Sequence, residues 1–138
     1  MTTTAQHDYY LPAEPSRIES RHVEPLLVHA NTISASDITI QTNRPIFAEI
    51  FGKLYKITKR SLTNSEVSDI LNALYGANGT TQILRGDDLD THYEVRPSRT
   101  KRYRHRVNAV GCFVDGQNGI QITIRTCLLY TSPSPRDS

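Results

Sequence analysis

The chain has 138 residues, with 16 Lys+Arg against 14 Asp+Glu and a formal net charge of +2. That length suits one domain with tails. Its longest apolar runs are far shorter than the about 20 residues of a membrane-spanning helix or the about 7–15 of a secretory core segment. Two cysteines, Cys112 and Cys127, cannot build a disulfide framework and fit a reducing compartment. The near-zero charge hides an asymmetry. Residues 1–95 carry eight basic and twelve acidic side chains, whereas residues 96–138 carry eight basic and two acidic ones. A basic C-terminal third of this kind is expected to face an anion: phosphate, nucleic acid or an acidic protein surface.

In chain order, residues 1–18 are polar and proline-bearing, without helical or strand period, and predict a flexible or loosely docked lead-in. Val23, Leu26, Leu27 and Ala30 share a face at helical spacing, so a helix is expected over 19–30, with Pro25 early enough to be tolerated. Ile38 and Ile40 alternate with Thr39 and Gln41 as in a strand. Asn43-Arg44-Pro45 makes a turn, and 46–51 and 54–57 form strands joined at Gly52-Lys53. Thr63-Asn64-Ser65-Glu66 is a capping box opening a helix whose buried stripe is Val67, Ile70, Leu71 and Leu74 and whose stop is Gly76. A short third helix is expected over 78–84, then a strand over 91–95. Residues 101–114 and 119–126 predict a long hairpin around Asp115-Gly116-Gln117-Asn118. This order gives an α+β domain with a mostly antiparallel sheet.

Strand side chains alternate between faces. Tyr103, Val107, Ala109 and Phe113 fall on one side of the first hairpin strand, and Arg102, Arg104, Arg106 and Asn108 on the other. With the expected loop, Asn108 lies opposite Arg125 and Arg106 diagonal to it, so four arginines share one face. Like charges in a row call for an anion, and guanidinium forks suit phosphate oxygens. A solvated basic face with local partners such as Glu94 or Asp90 also accounts for the row.

Several other groupings carry less chemistry. The five histidines, His7, His22, His29, His92 and His105, have no metal-ligand spacing, and no metal site is expected. Asp87, Asp88, Asp90 and Glu94 lack the glycine and terminal glutamate of a calcium loop, and read as a solvated turn and strand start. Cys112 reads as a small buried or half-buried filler with no base beside it. Lys53, Lys56, Lys59 and Arg60 fit either a solvated edge or part of a subunit interface.

Motifs in order carry a resemblance: Ser36-Asp37-Ile38-Thr39-Ile40, Arg44-Pro45-Ile46, Gly52, Asp88-Leu89-Asp90-Thr91-His92-Tyr93-Glu94, Arg104-His105-Arg106-Val107-Asn108 and Arg125-Thr126. Over residues 15–126 the chain resembles the N-terminal domain of PilT-like secretion ATPases, in its detailed wording the DotB/TraJ branch of type IVB secretion and plasmid conjugation. The resemblance implies a PAS-like N-terminal domain over 19–126, with helices on one face of the sheet. It implies a parent that is a cytoplasmic hexameric ATPase at the inner-membrane base of a secretion or conjugation machine. Partners would be its own RecA-like domain, neighbouring subunits and that machinery; nucleic acid is not expected. ATP and Mg²⁺ would serve the parent, with Arg104, Arg106 and Arg125 reaching the nucleotide phosphates, and Arg106 and Arg125 foremost.

The departure from the family is the absence of any G-x-x-x-x-G-K-[ST] in these 138 residues. A chain without that phosphate cradle is expected to bind no nucleotide and hydrolyse none alone, and no catalytic residue is assigned to it. Residues 127–137 (CLLYTSPSPRD) depart too. They resemble an in-frame translation of a sequencing-library adapter, and residues 127–138 are expected to be an artefactual, disordered tail after a genuine end at Thr126. The reading from another class is a free-standing basic module. Its Arg96, Arg99, Lys101, Arg102, Arg104 and Arg106, with Tyr93 and Tyr103 near, would bind nucleic acid or an acidic protein.

Overall fold

The structure is a computed structural model, described here over residues 9–130, with side chains through 126. Three helices, α1 (Val23–Thr32, entered through a 3-10 turn at Ser20–His22), α2 (Asn64–Tyr75) and α3 (Gly79–Leu84), accompany six strands. The strands are β1 (Asp37–Gln41), β2 (Phe47–Ile50), β3 (Lys53–Lys56), β4 (Leu89–Val95), β5 (Lys101–Val114) and β6 (Gln117–Tyr130). They form one antiparallel sheet in the order β3-β2-β1-β6-β5-β4. The α+β class and antiparallel sheet expected from the sequence are those observed.

One face of the sheet packs on the helices, because period-2 alternation puts its aliphatic side chains there. Ile38 and Ile40 of β1, Val107 and Ala109 of β5, and Ile120, Ile122 and Ile124 of β6 are buried against Leu26, Leu27, Ile70 and Leu71. The capping box forms as read: the Thr63 hydroxyl accepts from the Glu66 amide at 3.2 Å, and Glu66 Oε1 accepts from the Thr63 amide at 2.9 Å. Gly76 ends α2 at φ 138°, a conformation that favours glycine.

Glu66 does more than cap. Its carboxylate is buried, accepts a 2.6 Å bond from the Ile18 amide, and is clasped by both terminal nitrogens of Arg60 at 3.0 and 2.8 Å. Burial alone would push its pKa up, but the Arg60 fork and the amides of Thr63 and Ile18 outweigh that and hold it down at about 2. The Arg60 guanidinium is correspondingly raised by Glu66. Arg60 is therefore an internal strut, and the basic group Lys53, Lys56, Lys59, Arg60 is not one surface. Lys59 sits over the Tyr10 ring at 5.4 Å, and its amide donates to Glu14 Oε1 at 2.8 Å.

Three expectations need correction. Residues 9–18 are not loosely attached: Ile18 is fully buried, the Leu11 amide donates to the Ile57 carbonyl, and Tyr9 packs on Tyr55. Isolated apolar residues in a polar stretch gave no period, yet each fills a place on the core. The β5–β6 turn is the two residues Asp115-Gly116, at φ 51° and 79°, not a loop through Asn118. Two left-handed residues match the twist of a tight hairpin, and Asp-Gly supplies them at low cost. This shifts the register by two: Arg106, not Asn108, lies opposite Arg125. Finally, β6 continues past Thr126 to Tyr130, pairing Lys101–Arg104 of β5. The expected tail was read from its Ser-Pro pairs, whereas its first four residues form backbone ladder bonds that need no side-chain pattern. The remainder, 131–138, and the start of the lead-in, 1–8, lie outside the described residues.

Candidate functional site

An even shift of register preserves which face a side chain takes. Arg102, Arg104 and Arg106 of β5 and Arg125 of β6 thus stand together on the face away from the helices, as alternation requires. The pairings set a row across five strands: Glu49, Asp37, Arg125, Arg106, His92. At the neighbouring level Glu94 pairs with Arg104, and Asp90 with Asn108.

Carboxylates from the flanking strands interleave the arginines. Arg106 presents Nε and Nη2 side-on to Asp90 at 3.4 and 3.1 Å. Arg125 Nε donates to Asp37 Oδ1 at 3.1 Å, and the Ser36 hydroxyl, with one proton to give, lies 3.2 Å from the Glu49 carbonyl and 3.3 Å from Asp37 Oδ2. Arg102 Nε is sheltered 3.3 Å from Glu94 Oε2 but is not aligned to donate to it. Arg104 is exposed and has no carboxylate partner among the described residues. The Arg106 hydrogen bond pulls the Asp90 carboxyl below its ordinary range, and the same contact raises Arg106.

His92, Arg104, Arg106, Arg125 and Thr126 line a cleft of about 450 Å³ on this face. A smaller recess of about 150 Å³ beside it is lined by Arg106, Asn108, Thr123 and Arg125. The three arginines Arg104, Arg106 and Arg125 are therefore brought to one concavity, while Arg102 is turned toward Glu94 at its margin. The cleft offers guanidinium N–H donors, an imidazole and few acceptors of its own, a donor set that suits anionic oxygen. It does not suit a cation, since no carboxylate lines it, and among the described residues no three His, Cys, Asp or Glu side chains are grouped for a metal.

Two contributors escaped the sequence reading. Asp37 meets Arg125 only because β1 pairs with β6, a contact over 88 residues with no local signal. His105, on the opposite face, is fully buried; its Nδ1 lies 3.2 Å from the Tyr93 carbonyl and its Nε2 3.5 Å from Asn31 Nδ2 of α1. Burial lowers its pKa, and the ring packs on the helix side of β5, the strand that carries three of the arginines. Cys112 is half-buried and its thiol is raised by burial, which agrees with a filler. Phe113 is 72% exposed, because the core ends short of it.

No protein-family model matches the chain, and no curated protein sequence matches it. Solved structures do. The X-ray structure of the Legionella pneumophila ATPase DotB matches with 55% identity and a TM-score of 0.81, covering 85% of this chain and 32% of that one. The Yersinia pseudotuberculosis ATPase DotB matches with 24% identity and TM-score 0.76, over 82% of this chain and 31% of that one. The crystal structure of the pilus retraction motor PilT with bound ADP matches with 18% identity and TM-score 0.56, over 75% and 28%. The latter two show the fold alone.

An antiparallel sheet backed by helices, with an arginine face and these neighbours, is consistent with an N-terminal fragment of a PilT-like secretion ATPase. The particular likeness within that class is to the ATPase DotB, and the chain spans about a third of the length of the ATPases it matches.

Proposed function

We propose that this chain is the nucleotide-sensing and subunit-assembly domain of a hexameric ATPase that powers type IVB secretion or conjugative transfer. In this reading Arg104, Arg106 and Arg125 approach the phosphates of ATP held mainly by a RecA-like domain outside these 138 residues. Mg²⁺ would be held there too, since the carboxylates of this face are engaged by arginines. The observation that supports it is the cleft in which three guanidinium groups converge with one of them lacking a carboxylate partner among the described residues. The alternating Asp and Glu side chains weigh against the nucleic-acid reading, which would favour an unbroken basic stripe.

The site defines a division of labour. A charge that reaches the phosphates only when domains close stabilises the transition state more than the ground state, and so acts on kcat. In the full-length parent, Arg106→Ala and Arg125→Ala should each lower ATP turnover much more than ATP binding, by as much as about 10³, the scale of arginine fingers. Steady-state ATPase assays with nucleotide-binding titrations on hexameric variants test this. Wild-type turnover in both variants would leave the arginines as surface residues only.

A further inference from the structure

Resting on that phosphate reading, the geometry points to a gate on it: Asp90 occupies the side-on fork of Arg106 and Asp37 the Nε of Arg125 in place of phosphate, and Arg104 makes the first contact with an incoming polyphosphate.

The argument begins with the acceptor. A carboxylate and a phosphate group each offer a guanidinium two oxygens in one plane, so both compete for the same fork. Arg106 already uses its side-on pair of N–H groups on Asp90, at 3.4 and 3.1 Å. Arg125 has committed its Nε to Asp37. Neither can meet a phosphate through those groups without first releasing its carboxylate. Arg104, exposed in the same cleft and without a carboxylate partner among the described residues, needs no such release.

The two pairs differ in how they are exposed. The Arg106 and Asp90 side chains are 62% and 50% exposed, and an ion pair so open to water is released at a cost of about two- to fivefold in binding. In the other pair the Arg125 side chain is 75% exposed but the Asp37 side chain only 23%, so there it is the carboxylate that is held close to the sheet. Release leaves two bare carboxylates beside the arriving anion. A ligand with one or two charges gains little against that repulsion, whereas a chain of phosphates can engage several guanidinium groups at once. The acidic side chains thereby select polyphosphate over single phosphate.

The contact of a bare polyphosphate with this arginine face, as distinct from nucleotide held by the cradle of another domain, can be titrated on the 138-residue chain. Tripolyphosphate and orthophosphate are each titrated into it and followed by NMR at the arginine Nε–H signals. Asp37→Asn and Asp90→Asn keep side-chain shape and remove charge. Asp88→Asn is the control for net charge, because Asp88 lies on the exposed turn before β4 and makes no ion pair among the described residues. Expected are tripolyphosphate binding about two- to fivefold tighter in each of the first two variants, a narrower gap between tripolyphosphate and orthophosphate, and wild-type binding in Asp88→Asn. In wild type the Arg104 signal should respond at lower ligand than those of Arg106 and Arg125. Affinities unchanged in Asp37→Asn and Asp90→Asn, or equally tightened in Asp88→Asn, overturn the gate. If at the same time Arg104→Ala weakens binding, the phosphate reading stands without it. If neither the wild type nor any variant binds tripolyphosphate, Arg104 makes no first contact and the gate is overturned, while the phosphate reading, in which another domain holds the nucleotide, is decided by the ATPase variants above.

Discussion

Among single residues, Glu66 has the most concentrated set of obligations. It caps α2, receives the Ile18 amide that anchors the chain leading into α1, and neutralises Arg60 in a buried pocket. Removing it leaves the Ile18 and Thr63 amides without their acceptor and Arg60 with only the Ser61 and Pro15 carbonyls. Glu66→Ala should therefore cost about 3 kcal/mol, measurable as a loss of urea midpoint. Its titration gives a second, independent signal. The folded carboxyl sits at about 2 against an ordinary 4.5, so its contribution is complete above pH 4.5 and is lost as pH falls toward 2. The depression corresponds to about 3 kcal/mol. Glu66→Gln should flatten that acid limb of the stability curve; an unchanged limb would show that other carboxyls dominate it. The capping role was legible, because Thr-x-x-Glu before an apolar stripe is a local pattern. Arg60 as its partner was not, since nothing in a loop of basic residues says which of them turns inward.

At the scale of the element, alternation was the reliable guide and pairing was not. The faces of β5 and β6 followed from period 2 alone, and the arginine face survived a register error of two residues because such an error never changes a face. The opposite partners were wrong, and with them the distance between Arg106 and Arg125, because the turn was read as longer than Asp115-Gly116. Strand ends were least legible. β6 gains four residues beyond Thr126 through ladder bonds to Lys101–Arg104, and ladder bonds leave no trace in composition. This has a measurable outcome. Ending the chain after Thr126 should strip that stretch of β5 of its β6 neighbour, leaving β4 beside Tyr103 and Arg104 only, and lower stability by about 1–2 kcal/mol. An unfolding midpoint equal to that of the 138-residue chain would show that these four residues add nothing.

For the whole molecule, the class and the sheet were within reach of the sequence, because helical and strand periods are written locally. The order of strands was not, since it depends on β1 choosing β6 as its neighbour rather than on any adjacent segment. That choice put Asp37 beside Arg125 and turned a row of like charges into a ladder of alternating ones. It also fixes a timetable. β6 lies between β1 and β5 in the middle of the sheet, yet it comes last in sequence among the described strands. During synthesis β1, paired with β2 on one side, must wait with its other edge unpaired until the chain has supplied Gln117–Tyr130. Closure across so long a span makes assembly slow, and refolding of the purified chain by stopped-flow dilution from urea should take milliseconds to seconds. Completion within the microsecond range would mean that the first strands find their places without waiting for the last. A nascent chain paused before β6 instead presents the β1 edge unpaired, a template on which a second copy can dock.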